Sequence, residues 1–181
     1  MVATLLTGCS SGESDGDQSP QGADGANSAP GNDGKSGAGV ETFDAGAALA
    51  TQTVTLPKNP EDRITLAVLS LTVQGKVMVL RLAITPNLAS KSDSDSVSLF
   101  SSLGQTTFGP TLVDVENLKE YGVISADSGG NWSSNDVGTE AQNGTPLFAY
   151  AYFAAPEDDI DDIDVRVTDF WPAFTNVPIT R

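Results

Sequence analysis

The chain has 181 residues, with nine Lys and Arg against 24 Asp and Glu, and a formal net charge of −15 at pH 7. This length suits one domain with a tail, and so negative a surface repels nucleic acid and anionic lipid headgroups, so no nucleic-acid partner is expected. With no histidine and one cysteine, the chain excludes Ser-His-Asp and Cys-His catalysis within itself and has no internal disulfide.

The first feature along the chain is Cys9, which follows a short apolar run and precedes a long polar stretch. The residues Leu6-Thr7-Gly8-Cys9 resemble the lipobox of bacterial lipoproteins, in which small side chains let a peptidase reach the bond before the cysteine. In that family the thiol carries a diacylglycerol, and the acyl chains hold the protein in a membrane. The resemblance implies that residues 1–9 are the remnant of a lipoprotein signal peptide and that Cys9 is lipidated.

The segment before Cys9 is short for an export signal. Eight residues precede the cysteine and none of them is Lys or Arg. A working signal has a basic start and an apolar stretch of ~7–15 residues, so we expect the natural start to lie upstream of Met1. The alternative is a free cysteine in a disordered N-terminus.

Residues 10–50 are rich in Gly, Ser, Asp, Asn, Ala and Pro, and Phe43 is their only aromatic residue. Such a composition buries too little apolar surface to offset the entropy lost on ordering, which predicts a disordered linker. A coil of this length has an r.m.s. reach of about 35 Å, enough to hold a domain away from a membrane. The Gly-x-Ser-x-Gly motif at residues 12–16 lies in this linker and has no histidine to support a hydrolase site.

From Thr51 onward, short apolar or alternating runs are separated by Gly, Pro and polar turns. The runs predict strands at residues 51–56, 64–73, 77–85, 97–103, 111–115, 121–126, 146–155 and 163–168. Seven to eight short strands without a convincing helix predict an all-β fold for residues 51–181. The expected architecture is an antiparallel two-sheet sandwich, immunoglobulin-like in the broad sense, behind a disordered N-terminal tether.

Two local patterns in this region make specific predictions. Between Val68 and Leu69 the apolar pattern changes phase, which predicts either a β-bulge or a strand that is buried on both faces. The pair Gln74-Gly75 predicts a tight turn with positive φ at Gly75.

The aromatic residues fall into two groups. Phe148, Tyr150 and Tyr152 share one face of a strand, and they could line a ligand groove together with Trp132 and Trp171. Aromatic residues at a period of two in a strand usually belong to a sandwich core, which is the favoured interpretation for the three strand residues. Trp132 lies in a loop of Gly, Ser and Asn, where a large apolar side chain has little structural reason to be. We therefore predict that Trp132 contacts a ligand, either a partner protein or a glycan.

The densest charge lies at residues 157–164, EDDIDDID, where six carboxylates occupy eight positions. Asp158, Asp159, Asp161 and Asp162 are the candidate metal ligands, because carboxylate oxygens are what Ca²⁺ prefers. The alternative is a solvated acidic turn that discourages edge pairing and aggregation. No cofactor is expected.

Three stretches of the folded part, GPTLVDVENLKEYGVI, PLFAYAYFAAPEDDIDDIDVRV and FWPAFTNVPIT, resemble the exported sandwich domain of certain Gram-positive lipoproteins. In that family the sandwich follows a lipidated cysteine and a spacer, and it precedes an OmpA-like peptidoglycan-binding domain. The resemblance covers residues 50–180, and the chain ends at Arg181, where the wall-binding domain would begin. A cysteine pair that relatives often carry in the loop of Trp132 is missing here. The resemblance implies location and fold, but no activity.

These features predict a lipid-anchored binding or structural module without catalytic activity. It would be extracytoplasmic, held at the outer face of the cell membrane through Cys9, with a cell-wall component or a protein as its partner. The alternative is a calcium-dependent adhesion or stabilising domain that uses residues 157–164. A hydrolase that uses paired carboxylates is not favoured, because nothing in the sequence places two of them across a cleft.

Overall fold

The computed structural model describes residues 45–127 and 129–181, and most of this part of the chain is β-strand. Its strands are β1 (Ala50–Leu56), β2 (Asn59–Gln74), β3 (Val77–Asn87), β4 (Ser96–Ser98), β5 (Thr111–Asp114), β6 (Lys119–Tyr121), β7 (Glu140–Gln142), β8 (Leu147–Ala154), β9 (Asp162–Arg166) and β10 (Phe174–Pro178). A 3-10 turn (Ala45–Ala47) precedes β1, and one turn of helix, α1 (Leu99–Ser102), follows β4.

The strands of the described residues pair in three antiparallel sheets. The first sheet has the order β1-β2-β3-β8, the second has the order β10-β9-β5-β6, and β4 pairs with β7 in a small separate sheet. Apolar side chains from both four-stranded sheets fill one common core, which gives the fold its sandwich-like character. The predicted all-β antiparallel fold is confirmed, although the described residues contain ten strands where seven or eight were expected.

The β2–β3 hairpin contains both local features that the sequence predicts. The pairing of β2 with β3 shifts between Val68 and Ser70, which makes Leu69 the extra residue of a bulge. The shift returns Leu71 to the main core, where it is fully buried, although simple alternation places it on the opposite face from Val68. Gly75 closes the hairpin with φ of 64°, as predicted.

A single turn of helix replaces the end of the strand predicted at residues 97–103. The strand stops at Ser98, whose side-chain oxygen accepts a hydrogen bond from the Ser101 backbone N–H at 3.2 Å. Serine is a favourable N-cap because this bond satisfies a donor that the helix itself leaves unpaired. The prediction of an uninterrupted strand here is therefore wrong.

The strand predicted at residues 121–126 is also displaced. The chain pairs in the second sheet only as far as Tyr121, and it then crosses to the first sheet, where the Ile124 N–H donates to the Tyr152 carbonyl at 2.8 Å. Gly122 lies at this change of direction. The crossing connects the two sheets on the side of the sandwich where β8 lies.

The C-terminal residues connect the two sheets at another place. Beyond β10, Thr180 pairs in parallel with Thr72 of β2. The Thr180 N–H donates to the Leu71 carbonyl at 2.9 Å, and the Val73 N–H donates to the Thr180 carbonyl at 2.8 Å. Because the pairing of β1 with β2 extends only to Val68, the chain end occupies the edge of β2 that β1 leaves open.

The folded domain begins earlier than predicted. Residues 45–50, assigned above to the linker, form the 3-10 turn and the first residue of β1. The Leu49 N–H donates to the Val68 carbonyl at 2.7 Å, and Ala48 packs against the small outer cluster that contains Leu69. Small side chains fit this outer face, so a stretch that looks like linker by composition contributes to the fold.

Candidate functional site

The open edge of β8 carries a short extended segment, residues 132–134. Ser133 forms an antiparallel bridge with Ala151, and the Tyr152 N–H donates to the Trp132 carbonyl at 2.9 Å. This register sets Trp132 directly opposite Tyr152, with both side chains on the same face. The loop that contains Trp132 therefore pairs with the first sheet at this point.

The backbone of Trp132 is held from both sides. Its N–H donates to the Ile124 carbonyl at 2.8 Å, while its carbonyl accepts the bond from Tyr152. A bridge between Ser125 and Asn131 closes the preceding loop, and the Ser125 hydroxyl donates to the Asn131 side chain at 3.0 Å. The indole is nevertheless 51% exposed. A well-anchored backbone thus presents a large apolar ring to solvent.

Tyr152 contacts two neighbouring rings at nearly right angles. Its ring centroid lies 6.1 Å from that of Trp132 with an interplanar angle of 85°, and 5.8 Å from that of Tyr150 with an angle of 82°. Edge-to-face pairs of this kind contribute about 0.5–1.5 kcal/mol each beyond area burial. Tyr150 and Phe148 continue the row and are 45% and 40% exposed. We call Trp132, Tyr152, Tyr150 and Phe148 the aromatic surface.

The prediction that Phe148 and Tyr150 belong to the core is wrong. A period of two identifies the residues that share a face but not which face is buried, and both faces of β8 are apolar. The two tyrosine hydroxyls on one face were the signal for the solvated side. Trp171 is 7% exposed and lies in the core, as expected. The core face of β8 consists of Leu147, Ala149, Ala151 and Phe153.

The strand β8, which carries most of the aromatic surface, and its flanking residues have no charge of their own. Residues 141–156 contain no charged side chain. Arg81 of β3 is the register partner of Tyr150, and it is half-buried. The Ser134 hydroxyl accepts a bond from the Tyr150 N–H at 2.9 Å and fixes the strand edge. Such a surface suits a neutral ligand better than an ionic one.

The acidic residues 157–164 engage separate partners. Asp158 forms a salt bridge with Lys119, and Arg181 lies 3.9 Å from Asp159. Each of these carboxylates has a basic neighbour, which competes with a cation for its oxygens.

The backbones of the other two predicted metal ligands take part in strand pairing. The Asp161 carbonyl accepts a bond from the Ile179 N–H at 2.8 Å, and Asp162 is paired with Pro178 at the start of β9. Within residues 45–127 and 129–181, no three His, Cys, Asp or Glu side chains are grouped so that they could hold a metal ion. The structure therefore does not assemble Asp158, Asp159, Asp161 and Asp162 into one site.

The shifted pKa values nearby belong to the β5–β6 hairpin. The hydrogen bond from Lys119 to Asp158 raises the pKa of the lysine, and desolvation raises the pKa of Tyr121. The pKa of Asp114 lies below its ordinary value, mainly because the Asn117 backbone N–H donates a hydrogen bond to its carboxylate. These shifts concern the second sheet and do not involve the aromatic surface.

Comparison with models of known protein families, with curated proteins and with solved structures found no significant match for this chain. In the described part of the chain, no helix has the length and apolar character needed to cross a membrane. The predicted lipidation site Cys9, the predicted signal remnant at residues 1–9 and the predicted linker up to residue 44 lie outside the described residues.

Proposed function

We propose that the protein is a lipid-anchored binding module outside the cytoplasmic membrane, and that its aromatic surface contacts a neutral glycan of the cell envelope. The observation that carries the proposal is the 51% exposure of Trp132 on a backbone held by hydrogen bonds on both sides. Binding surfaces are enriched in aromatic side chains that are fixed before the ligand arrives, because little entropy is then lost on binding.

The chemistry of the aromatic surface favours sugars. The faces of pyranose rings present C–H groups that pack on aromatic rings, and the hydroxyls of Tyr150 and Tyr152 offer hydrogen bonds to the ring edges. The chain carries a net charge of −15, which repels anionic polymers, so uncharged glycans are the best match. A protein partner with an exposed apolar patch is the alternative occupant.

The absence of catalysis in this proposal rests on composition. The full sequence contains no histidine, the side chain that most often serves as a general base near neutral pH. We infer a module that holds a polymer and does not cleave it.

The membrane part of the proposal rests on Leu6-Thr7-Gly8-Cys9 and on the polar stretch that follows. Acyl chains on Cys9 would fix the chain to the outer face of the membrane, and the linker would let the sandwich reach the wall. Mass spectrometry of the protein from its native membrane tests this directly. Acylation of Cys9 is expected, with release of a Cys9→Ala variant into the medium, and an unmodified cysteine in the native protein would contradict the anchor.

Glycan binding is tested by co-sedimentation of the purified protein with insoluble peptidoglycan and with neutral polysaccharide. Trp132→Ala is expected to weaken binding at least about tenfold, because one stacked ring contributes about 1.4 kcal/mol or more. Leu118→Ala is the matched control, since Leu118 is also strongly exposed but lies on the other sheet. Equal loss in both variants, or no sedimentation of the wild type, would refute the assignment.

A further inference from the structure

A pocket of about 400 Å³ lies where four segments of the chain meet. They are the β1–β2 turn with the start of β2, the β3–β4 loop, α1 with the residues that follow it, and the β9–β10 loop. Small-molecule sites typically measure roughly 300–1,000 Å³, so this pocket has a suitable size. Its lining shares no residue with the aromatic surface, and β1 and β8 lie at opposite edges of the first sheet.

One wall of the pocket is apolar. Leu56 and Leu88 are almost fully buried, while Phe170 is 46% exposed. Gly104 leaves room between these groups, because a Cβ at this position would lie 3.4 Å from Leu56 Cδ2 and 3.6 Å from Phe170 Cζ. Its φ of 71° also favours glycine. The wall is therefore open to a ligand with an apolar body.

The pocket also concentrates positive charge in an acidic protein. Lys58 and Lys91 line it, and they are two of only nine basic residues in the chain. The Lys58 ammonium donates to the Gln105 side-chain oxygen at 2.8 Å, and Gln105 holds this position with φ of 67°, which is unfavourable for a residue with a side chain. An ammonium has three donors, so Lys58 retains two for a ligand.

A buried carboxylate stands among these groups. Asp62 lines the pocket and is 5% exposed. The Ser90 backbone N–H and hydroxyl each donate to it at 3.3 Å, which is long for a hydrogen bond to a charged group. Among the residues that the structure describes, no ion pair joins Asp62 to Lys58 or to Lys91. Its oxygens retain capacity to accept from a ligand.

We propose that this pocket binds a small organic carboxylate that has an apolar body and a hydrogen-bond donor at its far end. The ligand's carboxylate pairs with Lys58 and Lys91, the body packs against the apolar wall, and the donor bonds to Asp62. Among the residues that line the pocket, two ammonium groups and one carboxylate leave a single positive charge, which favours a monoanion. This binding is separate from the proposed glycan contact, so either can fail without the other.

The probe for the test is 4-hydroxyphenylacetate, which has a carboxylate, an aromatic body and a phenolic donor. Its affinity for the full chain is measured by saturation-transfer NMR and calorimetry. The comparison ligand 4-hydroxyphenylethanol has the same ring and donor without the negative charge. We expect the comparison ligand to bind at least about tenfold more weakly, since the two lysines would contribute about 1.4 kcal/mol or more.

The matched variants are Lys58→Gln combined with Lys91→Gln, and Lys76→Gln as the control. All three side chains are exposed, so the variants should fold, which a thermal melt verifies. Lys76 lies in the β2–β3 turn and does not line the pocket. The double variant should lose at least about tenfold in affinity for 4-hydroxyphenylacetate, and the control should bind as the wild type does.

Three results with the small ligands would overturn the proposal, and one result with peptidoglycan would do so as well. They are no binding to the wild type at about 10 mM probe, equal affinity for the two ligands, and equal loss in the Lys76→Gln control. Co-sedimentation with peptidoglycan should be unchanged in the double lysine variant. Loss of that binding as well would show that the pocket is part of the glycan site, and it would also refute a separate function.

Discussion

Trp132 and Tyr152 stand directly opposite each other at the edge of the first sheet, with ring centroids 6.1 Å apart and ring planes at 85°. The same two residues are linked through their backbones, because the Tyr152 N–H donates to the Trp132 carbonyl. The position of the indole is thus set by strand pairing and by a ring contact together. An exposed side chain with this much support differs from one at a mobile loop tip.

The two tryptophans should report different environments in fluorescence. Trp132 is 51% exposed and Trp171 is 7% exposed. In the Trp171→Phe variant the remaining emission from Trp132 should be red-shifted and strongly quenched by acrylamide. In the Trp132→Phe variant the emission should be blue-shifted and protected. Equal quenching in the two variants would contradict the placement of Trp132 at the surface.

The stability of the β5–β6 hairpin should depend on pH through Asp114. Its carboxylate accepts from the Glu116 and Asn117 backbone N–H groups at 3.1 and 2.9 Å, so Asp114→Ala should cost about 1–2 kcal/mol at neutral pH. Because these bonds lower the pKa in the folded state, the contribution is complete well above the ordinary value of 3.8 and is lost as the pH falls through the lower folded-state pKa.

Urea unfolding of the wild type and of Asp114→Ala, repeated from pH 7 down to pH 2, measures this dependence. The stability difference between the two proteins should narrow below about pH 3.8. Asp93→Asn, which changes an exposed carboxylate, is the control and should show a small and nearly constant difference. A stability difference between the wild type and Asp114→Ala that widened on acidification would contradict the lowered pKa of Asp114 in the folded state.

Calcium should have little effect on the folded domain. Asp158 and Asp159 have basic neighbours, and no group of three acidic side chains converges in the described residues. Millimolar Ca²⁺ should therefore raise the melting temperature by less than about 1 °C, since ligand stabilisation requires a concentration above the Kd. A larger rise that disappears in an Asp161→Asn, Asp162→Asn variant would instead support the calcium-dependent alternative.

Leu118 should tolerate replacement by glycine. It has φ of 56° and its side chain is 91% exposed at the tip of the β5–β6 hairpin. Glycine removes the strain of the left-handed backbone, and this gain should outweigh the greater freedom of glycine in the unfolded chain. Leu118→Gly should therefore raise the free energy of unfolding by about 0.5 kcal/mol. Val115→Gly, at an ordinary φ in the same turn, should destabilise the domain. Chemical denaturation of both variants distinguishes the two effects.

The parts of the fold that follow from local pattern were predictable. The apolar runs located β2 and β3, and the phase change at Val68 gave a bulge as one of two alternatives, because each signal depends only on neighbours in sequence. The helical turn after Ser98 was not predicted, because a single serine N-cap determines that this segment forms a helix and not a strand. The bridge between Ser133 and Ala151 was not predicted, because a loop of Gly, Ser and Asn gives no local sign of an extended segment.

The candidate sites also divide into those with a local sequence signal and those without one. Trp132 was recognisable because its size contrasts with a loop of small polar residues, whereas Tyr150 was misassigned because both faces of its strand are apolar. The pocket that contains Lys58 and Asp62 left no local signal, because its walls come from four separate segments. Sites assembled by tertiary structure cannot be read from residue spacing alone.

The two ends of the described domain are attached to one strand. The Leu49 N–H bonds to Val68 and the Thr180 N–H bonds to Leu71, three residues further along β2. In an extended strand these positions are about 10 Å apart. A force applied between these two ends of the described domain would therefore act across only this short span of β2. Most of the sandwich would lie outside the path of that force and would keep its shape under tension.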